Sequence, residues 1–328
     1  MQLIRHLPAR LADTRPLALA IGNFDGLHRG HQALLAGARR FAPDSRPAML
    51  SFEPLPRTFF APHDPVPRVM KLRDKLEVGA QLGIEVLAQL RFDRTFSMQS
   101  PRAFARDVLV RGLNAGQVII GADFRFGHKA AGDAAAMIEF GREFGFETVV
   151  AETVVAETSD DQSGQPVSSS LLRRALAAGN LGLAAQLLGR PYAISGRVIR
   201  GRQLGRELGF ATANIRVAEP PAFSGIAAVR VDGEGLANHP GIASLGRRPT
   251  VAGRDWLLET HLFDFEGDLY GRHLRVQFEG FIRHEEHFGS LAEMVDQMNR
   301  DVERANALLA EDQRQARQAP EPSLNRRQ

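Results

Sequence analysis

From residue 17 to residue 155 the chain alternates short, almost unbroken apolar runs with longer stretches whose apolar positions recur every three or four residues. The runs at 17–21, 48–52, 85–92, 117–121 and 148–155 predict strands. The stretches 32–40, 70–82, 101–113 and 133–144 predict helices, the third opened by a Ser100 cap and Pro101 at its first position. Strands that are apolar throughout are covered on both faces. With a helix after each strand, this predicts an α/β domain with a doubly wound parallel sheet. Residues 168–178 and 180–189 predict two short closing helices.

Beyond Pro191 the texture changes. Short β-type runs at 192–199, 226–231, 242–245, 256–265 and 272–279 are separated by glycine and proline turns. They predict a small antiparallel β-barrel or sandwich. A long amphipathic helix follows, with Ser290 and Glu293 as a capping box. Leu291, Met294, Val295, Met298, Val302, Ala305 and Leu308 form its expected apolar face. The polar, Arg-, Gln- and Pro-rich residues 313–328 read as a disordered tail. The expected organisation is therefore 1–187, 188–312 and a tail at 313–328.

Composition narrows the chemistry. The chain has no cysteine, which excludes disulfides, thiolate metal sites and a cysteine nucleophile. No apolar run approaches the ~20 residues of a membrane helix, and the first residues lack a signal-peptide core. A cytoplasmic protein with no membrane partner is expected. Lys71, Lys75 and Lys129 are the only lysines, so arginine carries most of the positive charge. Basic runs are not interleaved with aromatics, and no nucleic-acid partner is expected.

The segment Gly22-Asn23-Phe24-Asp25-Gly26-Leu27-His28-Arg29-Gly30-His31 carries the strongest chemical signal. A strand, a glycine turn and a helix start expose backbone N–H groups at the positive end of a helix dipole, which suits a phosphate. His28 and His31 share the first turn of that helix and can donate to phosphate oxygens. Two more segments fall at strand or helix ends: Gly121-Ala122-Asp123-Phe124-Arg125-Phe126-Gly127, and Ser168-Ser169-Ser170-Leu171-Leu172-Arg173. Converging, they suit adenylyl transfer, in which the attacking phosphate is already nucleophilic. The protein then supplies in-line positioning and charge stabilisation, with Mg²⁺ bridging the oxygens. The expectation is an ATP-using transferase.

The second half offers a different set. A strand ending in Arg200-Gly201 leads into Gly205-Arg206-Glu207-Leu208-Gly209-Phe210-Ala211-Thr212-Ala213-Asn214. The glycine-rich part can present backbone N–H groups to a polyphosphate. Thr212 and Asn214 alternate on an extended segment, so their hard oxygen donors face one way and suit Mg²⁺. Glu259 is the carboxylate best placed to take a proton from an attacking hydroxyl.

Taken together these residues resemble the bacterial bifunctional riboflavin kinase/FMN adenylyltransferase family, also called FAD synthetase. The likeness runs over roughly residues 15–310 and rests on the 22–31 segment, Ser51-Phe52-Glu53-Pro54, the 121–127 segment, Gly132-Asp133, the 168–173 segment and, in the second half, Gly201, Gly205-Arg206, Gly209, Thr212-Ala213-Asn214, Glu259 and Arg283. The resemblance implies an N-terminal nucleotidyltransferase-like domain that makes FAD from FMN and ATP, releasing pyrophosphate. It implies that Gly22, Asn23, Phe24, Asp25, Gly26, His28, Gly30, His31, Phe52, Pro54, Asp123, Phe124, Gly127, Ser168, Ser169 and Arg173 line its ATP and FMN sites. It further implies a C-terminal β-barrel that phosphorylates riboflavin. There Glu259 is the base, Thr212 and Asn214 hold Mg²⁺ with the ATP phosphates, and Gly201, Gly205, Arg206, Gly209, Phe210 and Arg283 bind ATP or riboflavin. Riboflavin, FMN and ATP are the expected partners. Leu55 and Ala130 stand where the family has histidine and arginine. They keep open a kinase with weakened or lost adenylyltransferase, while the basic surface and tail keep open a non-catalytic flavin- or nucleotide-binding regulator.

Overall fold

The computed structural model describes residues 1–8, 13–157, 163–201, 210–250 and 253–318, and at 248–250, 253–254, 312–313 and 315–318 the backbone alone. The chain divides into two compact units, Met1–Arg174 with Gln186–Gly189, and Ala175–Ala185 with Arg190–Gln328. The boundary expected between 187 and 188 falls inside the short Gln186–Gly189 piece.

The first unit is built on strands β1 (Gln2–Ile4), β2 (Leu17–Ile21), β3 (Arg46–Glu53), β4 (Val86–Arg91), β5 (Ala115–Gly121) and β6 (Glu147–Ala151). They form one sheet in the order β1-β4-β3-β2-β5-β6, every pair parallel. Alternate residues of β2 explain its unbroken apolar run. Leu17, Leu19 and Ile21 pack with Val108, Leu109 and Met137 from the helical segments at 101–113 and Ala134–Phe144. Ala18 and Ala20 pack with Leu35, Ala38 and Val78 from helices Arg29–Arg39 and Leu72–Gln81 on the opposite face. The chain leaves β2 toward β3 on one side and reaches β5 on the other, so the order reverses at β2. Sheets of this type bind ligands outside the carboxyl end of the strand at such a switch point.

Two departures from the sequence reading are local. The strand expected over 148–155 ends at Ala151, and Val155 instead makes an isolated bridge to Pro166. The helical segment at 101–113 has the expected limits, but Phe104–Val110 is wound as a π-helix, which side-chain periodicity does not distinguish.

The second unit is a closed barrel of β7 (Tyr192–Ile199), β8 (Thr212–Val217), β9 (Gly225–Gly233), β10 (Leu236–Thr250), β11 (Gly253–Leu262) and β12 (His273–Arg283), in the order β10-β11-β8-β7-β12-β9. Closure satisfies every edge that an open sheet would expose. Ile194, Val229, Leu258, Leu274, Val276 and Phe278 are buried in this unit. β10 runs well past the expected 242–245, because His239 and Pro240 break the apolar pattern but still pair with β9, beyond an irregularity between Leu236 and His239.

Helix Leu291–Gln318 begins as its capping box predicts. The Glu293 N–H donates to Ser290 Oγ at 3.2 Å, and the Glu293 carboxylate accepts from Gly289 N–H at 3.0 Å. Ala305 and Leu309, with Val302 and Leu308, pack on Ala228, Ile242, Phe263 and Ile282. Leu291, expected on this face, is 57% exposed, because it sits in the first turn, ahead of the packed stretch. The helix also continues to Gln318, into the segment read as a disordered tail. Its Glu, Gln, Arg and Ala residues are good helix formers, so a polar composition did not end it. Residues 319–328 lie outside the described ones.

Asp301 fixes this helix to the barrel. Its carboxylate is buried and accepts from Arg283 Nε at 3.1 and 3.0 Å, Arg283 Nη2 at 2.7 Å and Gln297 Nε2 at 2.8 Å. Asp301→Ala strands the mostly buried Arg283 guanidinium, and breaking such a pair costs about 3–5 kcal/mol. The check is denaturant unfolding followed by fluorescence of Trp256, the only tryptophan, which lies in this unit on β11.

Candidate functional site

The 22–31 turn leaves the carboxyl end of β2 and is anchored from below. Phe24 and Leu27 are fully buried and take left-handed backbone angles, φ 49° and 47°. Gly26 has φ +99°, and a Cβ there would lie 2.9 Å from Leu172 and 3.0 Å from Val69, so the close approach requires glycine. Phe24 and Leu27 are therefore packing residues that shape the turn. His28 and His31 follow, buried, at the start of the next helix.

His28 is the N-cap of helix Arg29–Arg39. Its Nδ1 accepts the His31 N–H at 3.3 Å. A neutral imidazole that accepts at Nδ1 carries its proton on Nε2, so this hydrogen bond assigns His28 as an Nε2 donor. The His28 and His31 rings stack at 3.6 Å, 18° apart. His31 is held well below the ordinary histidine range, chiefly by burial and also by His28, Lys75 and Arg173. It is neutral at pH 7, and its buried Nδ1 has no hydrogen-bond partner. The pair thus offers neutral N–H donors, not a fixed double cation, at a helix N-terminus.

Asp25 ties the turn to the 168–173 segment. Its buried carboxylate accepts from the N–H groups of Val69 at 3.2 Å and Met70 at 3.1 Å and pairs with Arg173 Nη2 at 2.6 Å. Arg173 Nε donates to Pro67 O at 2.8 Å, and Ser169 Oγ donates to Asp25 O at 3.2 Å. Ser168 Oγ accepts Leu171 N–H at 3.2 Å, an ordinary N-cap for helix Ser169–Ala177. Asp25, Ser169 and Arg173 do converge, but in part on one another.

The 121–127 segment leaves β5, the strand beside β2. Phe124 N–H donates to Gly121 O at 3.1 Å, and Asp123 is exposed at the tip. Phe124 and Phe126 stack at 5.4 Å, and Phe126 is bridged to Gly132. Gly127 has φ +73° and backs onto Pro101. Asp133 accepts Ala136 N–H at 2.9 Å and caps helix Ala134–Phe144.

Two features of this unit carry no sequence signal. Phe52 belongs to an aromatic cluster with Phe92 at 5.9 Å and Phe96 at 5.3 Å, continued by Phe59 and by Phe60, which is 68% exposed. These rings come from four separate segments. Pro54 follows the cluster, and the neighbouring Leu55 is buried as a packing residue. The other is Lys75, on helix Leu72–Gln81, where a single lysine reads as a solvated position. It is buried, and its Nζ donates to Asn23 O at 3.2 Å and Ser51 Oγ at 3.1 Å. Ser51 Oγ also donates to Asn23 O, at 2.9 Å.

In the second unit Glu259 lies directly opposite Asn214 of β8 and Ser244 of β10. Its neighbours Leu258 and Thr260 are buried inside the barrel, so Glu259 points outward. Asn214, between the buried Ala213 and Ile215, points outward too, yet is itself buried. Its Nδ2 donates to Thr212 O at 3.3 Å and lies 3.5 Å from Thr212 Oγ1. Its buried Oδ1 has no hydrogen-bond partner among the described residues. A Cβ at Gly201, two residues past the end of β7, would lie 2.6 Å from Asn214 Nδ2, so the chain passes close against this amide. Phe210 packs edge-on to His261 at 5.4 Å. Gly205, Arg206 and Gly209 lie outside the described residues. Arg283 spends its guanidinium on Asp301 and on the carbonyl of His284, at 3.0 Å.

An acceptor buried without a donor fits a cation. Asn214 Oδ1 and, two residues away on the same strand face, Thr212 Oγ1 are two hard oxygen donors of the kind that suits Mg²⁺ completed by phosphate oxygens and water.

Comparison with known proteins gives the following. Residues 11–170 match the family model for FAD synthetase, and 188–309 match that for riboflavin kinase. The chain is 42% identical over 286 residues to the bifunctional riboflavin kinase/FMN adenylyltransferase of Escherichia coli (strain K12), covering 86% of this chain and 90% of that protein. It is 40% identical over 312 residues to that of Haemophilus influenzae, covering 94% and 99%. Among solved structures, one described as a macrolide-efflux protein from Streptococcus pneumoniae superposes with a TM-score of 0.74 at 25% identity, covering 92% of this chain and 97% of that one. Among the described residues no helix is long and apolar enough to cross a membrane.

Proposed function

We propose a residue-level division of labour that starts from one premise: the chain belongs to the family of bifunctional riboflavin kinases/FMN adenylyltransferases. It uses ATP twice, to phosphorylate riboflavin to FMN and to adenylate FMN to FAD. We assign the first reaction to residues 188–312 and the second to residues 1–187, in the cytoplasm.

In the kinase reaction the 5′-hydroxyl oxygen of riboflavin attacks the γ-phosphorus. The bond to the β,γ-bridging oxygen breaks, and ADP leaves. Glu259 accepts the hydroxyl proton. Asn214 Oδ1 and Thr212 Oγ1 hold Mg²⁺, which when bound neutralises charge on the ATP phosphates. Asn214→Ala, with Gly201 and Glu259 intact, is expected to raise the Mg²⁺ concentration needed for half-maximal kinase activity about tenfold or more, the loss of one charge-assisted contact. A magnesium titration of riboflavin-dependent ADP release checks this.

In the adenylyl transfer a phosphate oxygen of FMN attacks the α-phosphorus and pyrophosphate leaves. No protein nucleophile is needed. His28 Nε2 and the N-terminus of helix Arg29–Arg39 face the phosphates. Asp25 holds Arg173 and Ser169 beside the turn. Phe60, exposed at the edge of the aromatic cluster that holds Phe52, offers a ring face against which an isoalloxazine could stack.

The observation that carries this assignment is the coexistence in one chain of the histidine-capped turn at the β2 switch point and the outward Glu259–Asn214 pair on the barrel. Product identity tests it. Riboflavin should trigger ADP release, and FMN should trigger pyrophosphate release. Pyrophosphate released with riboflavin before any FMN forms would overturn the assignment.

A further inference from the structure

Lys75 is the buried charged group that the mechanism above leaves unused. It lies on helix Leu72–Gln81, which packs on the same face of the sheet as helix Arg29–Arg39, and its side chain reaches the 22–31 turn at Asn23. Its Nζ donates both to the Asn23 carbonyl and to Ser51 Oγ at the end of β3. Ser51 closes the triangle by donating to the same carbonyl. The turn is thereby pinned at Asn23, one residue past the glycine that ends β2 and five before His28. The charges around the ammonium are Asp25 on the turn, Glu53 at the end of β3 and Arg68 in the following loop, with the neutral His31 of the first helix also near. Glu53 is itself paired to Arg68 and to Gln89, and Asp25 to Arg173. Glu53 and Asp25 therefore each already have a cation or amide of their own, and the Lys75 ammonium, while protonated, places a positive charge behind the turn.

We propose that Lys75 is a positioning residue of the adenylyl transfer, acting through Asn23 to hold the 22–31 turn in its phosphate-binding shape. This rests on the reading that the turn takes the ATP phosphates. A charged hydrogen bond to a turn carbonyl does two things. It removes a floppy, unsatisfied acceptor from beneath the site, and it adds positive potential where the triphosphate sits. Burial pulls the lysine down to about 8, with Asp25 and Glu53 opposing and Arg68 assisting. The sign follows. Below about pH 8 the ammonium is charged and the turn is held. As pH rises through 8 the charge is lost, and ATP binding in the adenylyl transfer should weaken.

The experiment compares the wild type with Lys75→Met, Lys75→Arg and Ser51→Ala, using FMN, ATP and Mg²⁺, from pH 6.5 to 9.5. Lys75→Met should raise KM for ATP about ten- to a hundredfold at pH 7, with a smaller change in kcat, and should lose the weakening above pH 8. Lys75→Arg keeps its charge over the whole range, so it should recover part of the affinity and show no change near pH 8. If Lys75→Met does not fold, Ser51→Ala is read in its place and should show a smaller rise in KM. A wild-type KM and an unchanged pH profile in these variants overturn the proposal. The double variant His28→Ala/His31→Ala separates the two possible failures. If it loses adenylation while the Lys75 and Ser51 variants behave as wild type, the Lys75 proposal alone falls. If it retains adenylation, the phosphate-binding reading falls, and the proposal with it.

Discussion

Glu259→Gln stops the chain at riboflavin, lowering the rate of FMN formation about 10²–10⁴-fold, the usual contribution of a positioned general base. FMN supplied directly is still converted to FAD. The expectation rests on three facts of the barrel. Glu259 faces outward between buried Leu258 and Thr260. It is in register with Asn214 on one side and Ser244 on the other. Its cross-strand partner carries the buried, unsatisfied oxygen best suited to the cation of ATP. Glutamine keeps the volume and an acceptor oxygen but cannot take a proton at neutral pH. Binding of riboflavin and ATP should therefore change little while kcat falls. Loss of both products from a folded Glu259→Gln protein would show that the two reactions share this carboxylate, contrary to the assignment. The measurement is initial-rate formation of FMN and FAD from riboflavin and from FMN in parallel.

Replacing His28 and His31 together by alanine has the reverse effect. FMN still forms from riboflavin, and its adenylation falls by about 10³-fold or more. Removing one preorganised donor to developing charge costs about 10²–10³, and here a donor, a helix cap and the stacked ring that supports it go together. The single variants should differ. His28→Ala removes both the Nε2 donor and the cap on His31 N–H, whose loss alone costs about 0.5–2 kcal/mol of helix stability. His31→Ala removes a neutral, buried ring packed against Phe24 at 5.1 Å and His28. The single variant His28→Asn, which can still cap the helix, separates stability from catalysis. It should fold like the wild type and remain slow in pyrophosphate release.

How much could be read from the chain depends on whether the signal is local. Continuous apolar runs such as β2 implied burial on both faces, and the doubly wound sheet follows from that directly. That Thr212, Asn214 and Glu259 lie on adjacent strands follows from the pairing of β8 with β11, and strand alternation puts Thr212 and Asn214 on one face. The pairing of Asp25 with Arg173 spans most of the first unit and has no local signature. The structure shows how a buried carboxylate is accommodated in this turn: its charge is matched by Arg173. Lys75 escaped because a lone lysine on an amphipathic helix looks solvated, and only the crossing of helix Leu72–Gln81 under the turn buries it. The aromatic cluster around Phe52 and Phe60 assembles from separate strand ends and short helices, which no periodicity joins. Arg283 reads as a ligand by resemblance, whereas in the fold its nearest commitments are Asp301 and the last helix.

The central claim is that one chain carries out two successive ATP-dependent steps on a flavin. Its most direct test is a time course of the purified protein with riboflavin, ATP and Mg²⁺, the flavins separated chromatographically. The account predicts that FMN appears first and is then converted to FAD. FMN accumulating without FAD would contradict it, and would direct attention to Leu55, buried where the family has histidine, and to Ala130, where it has arginine.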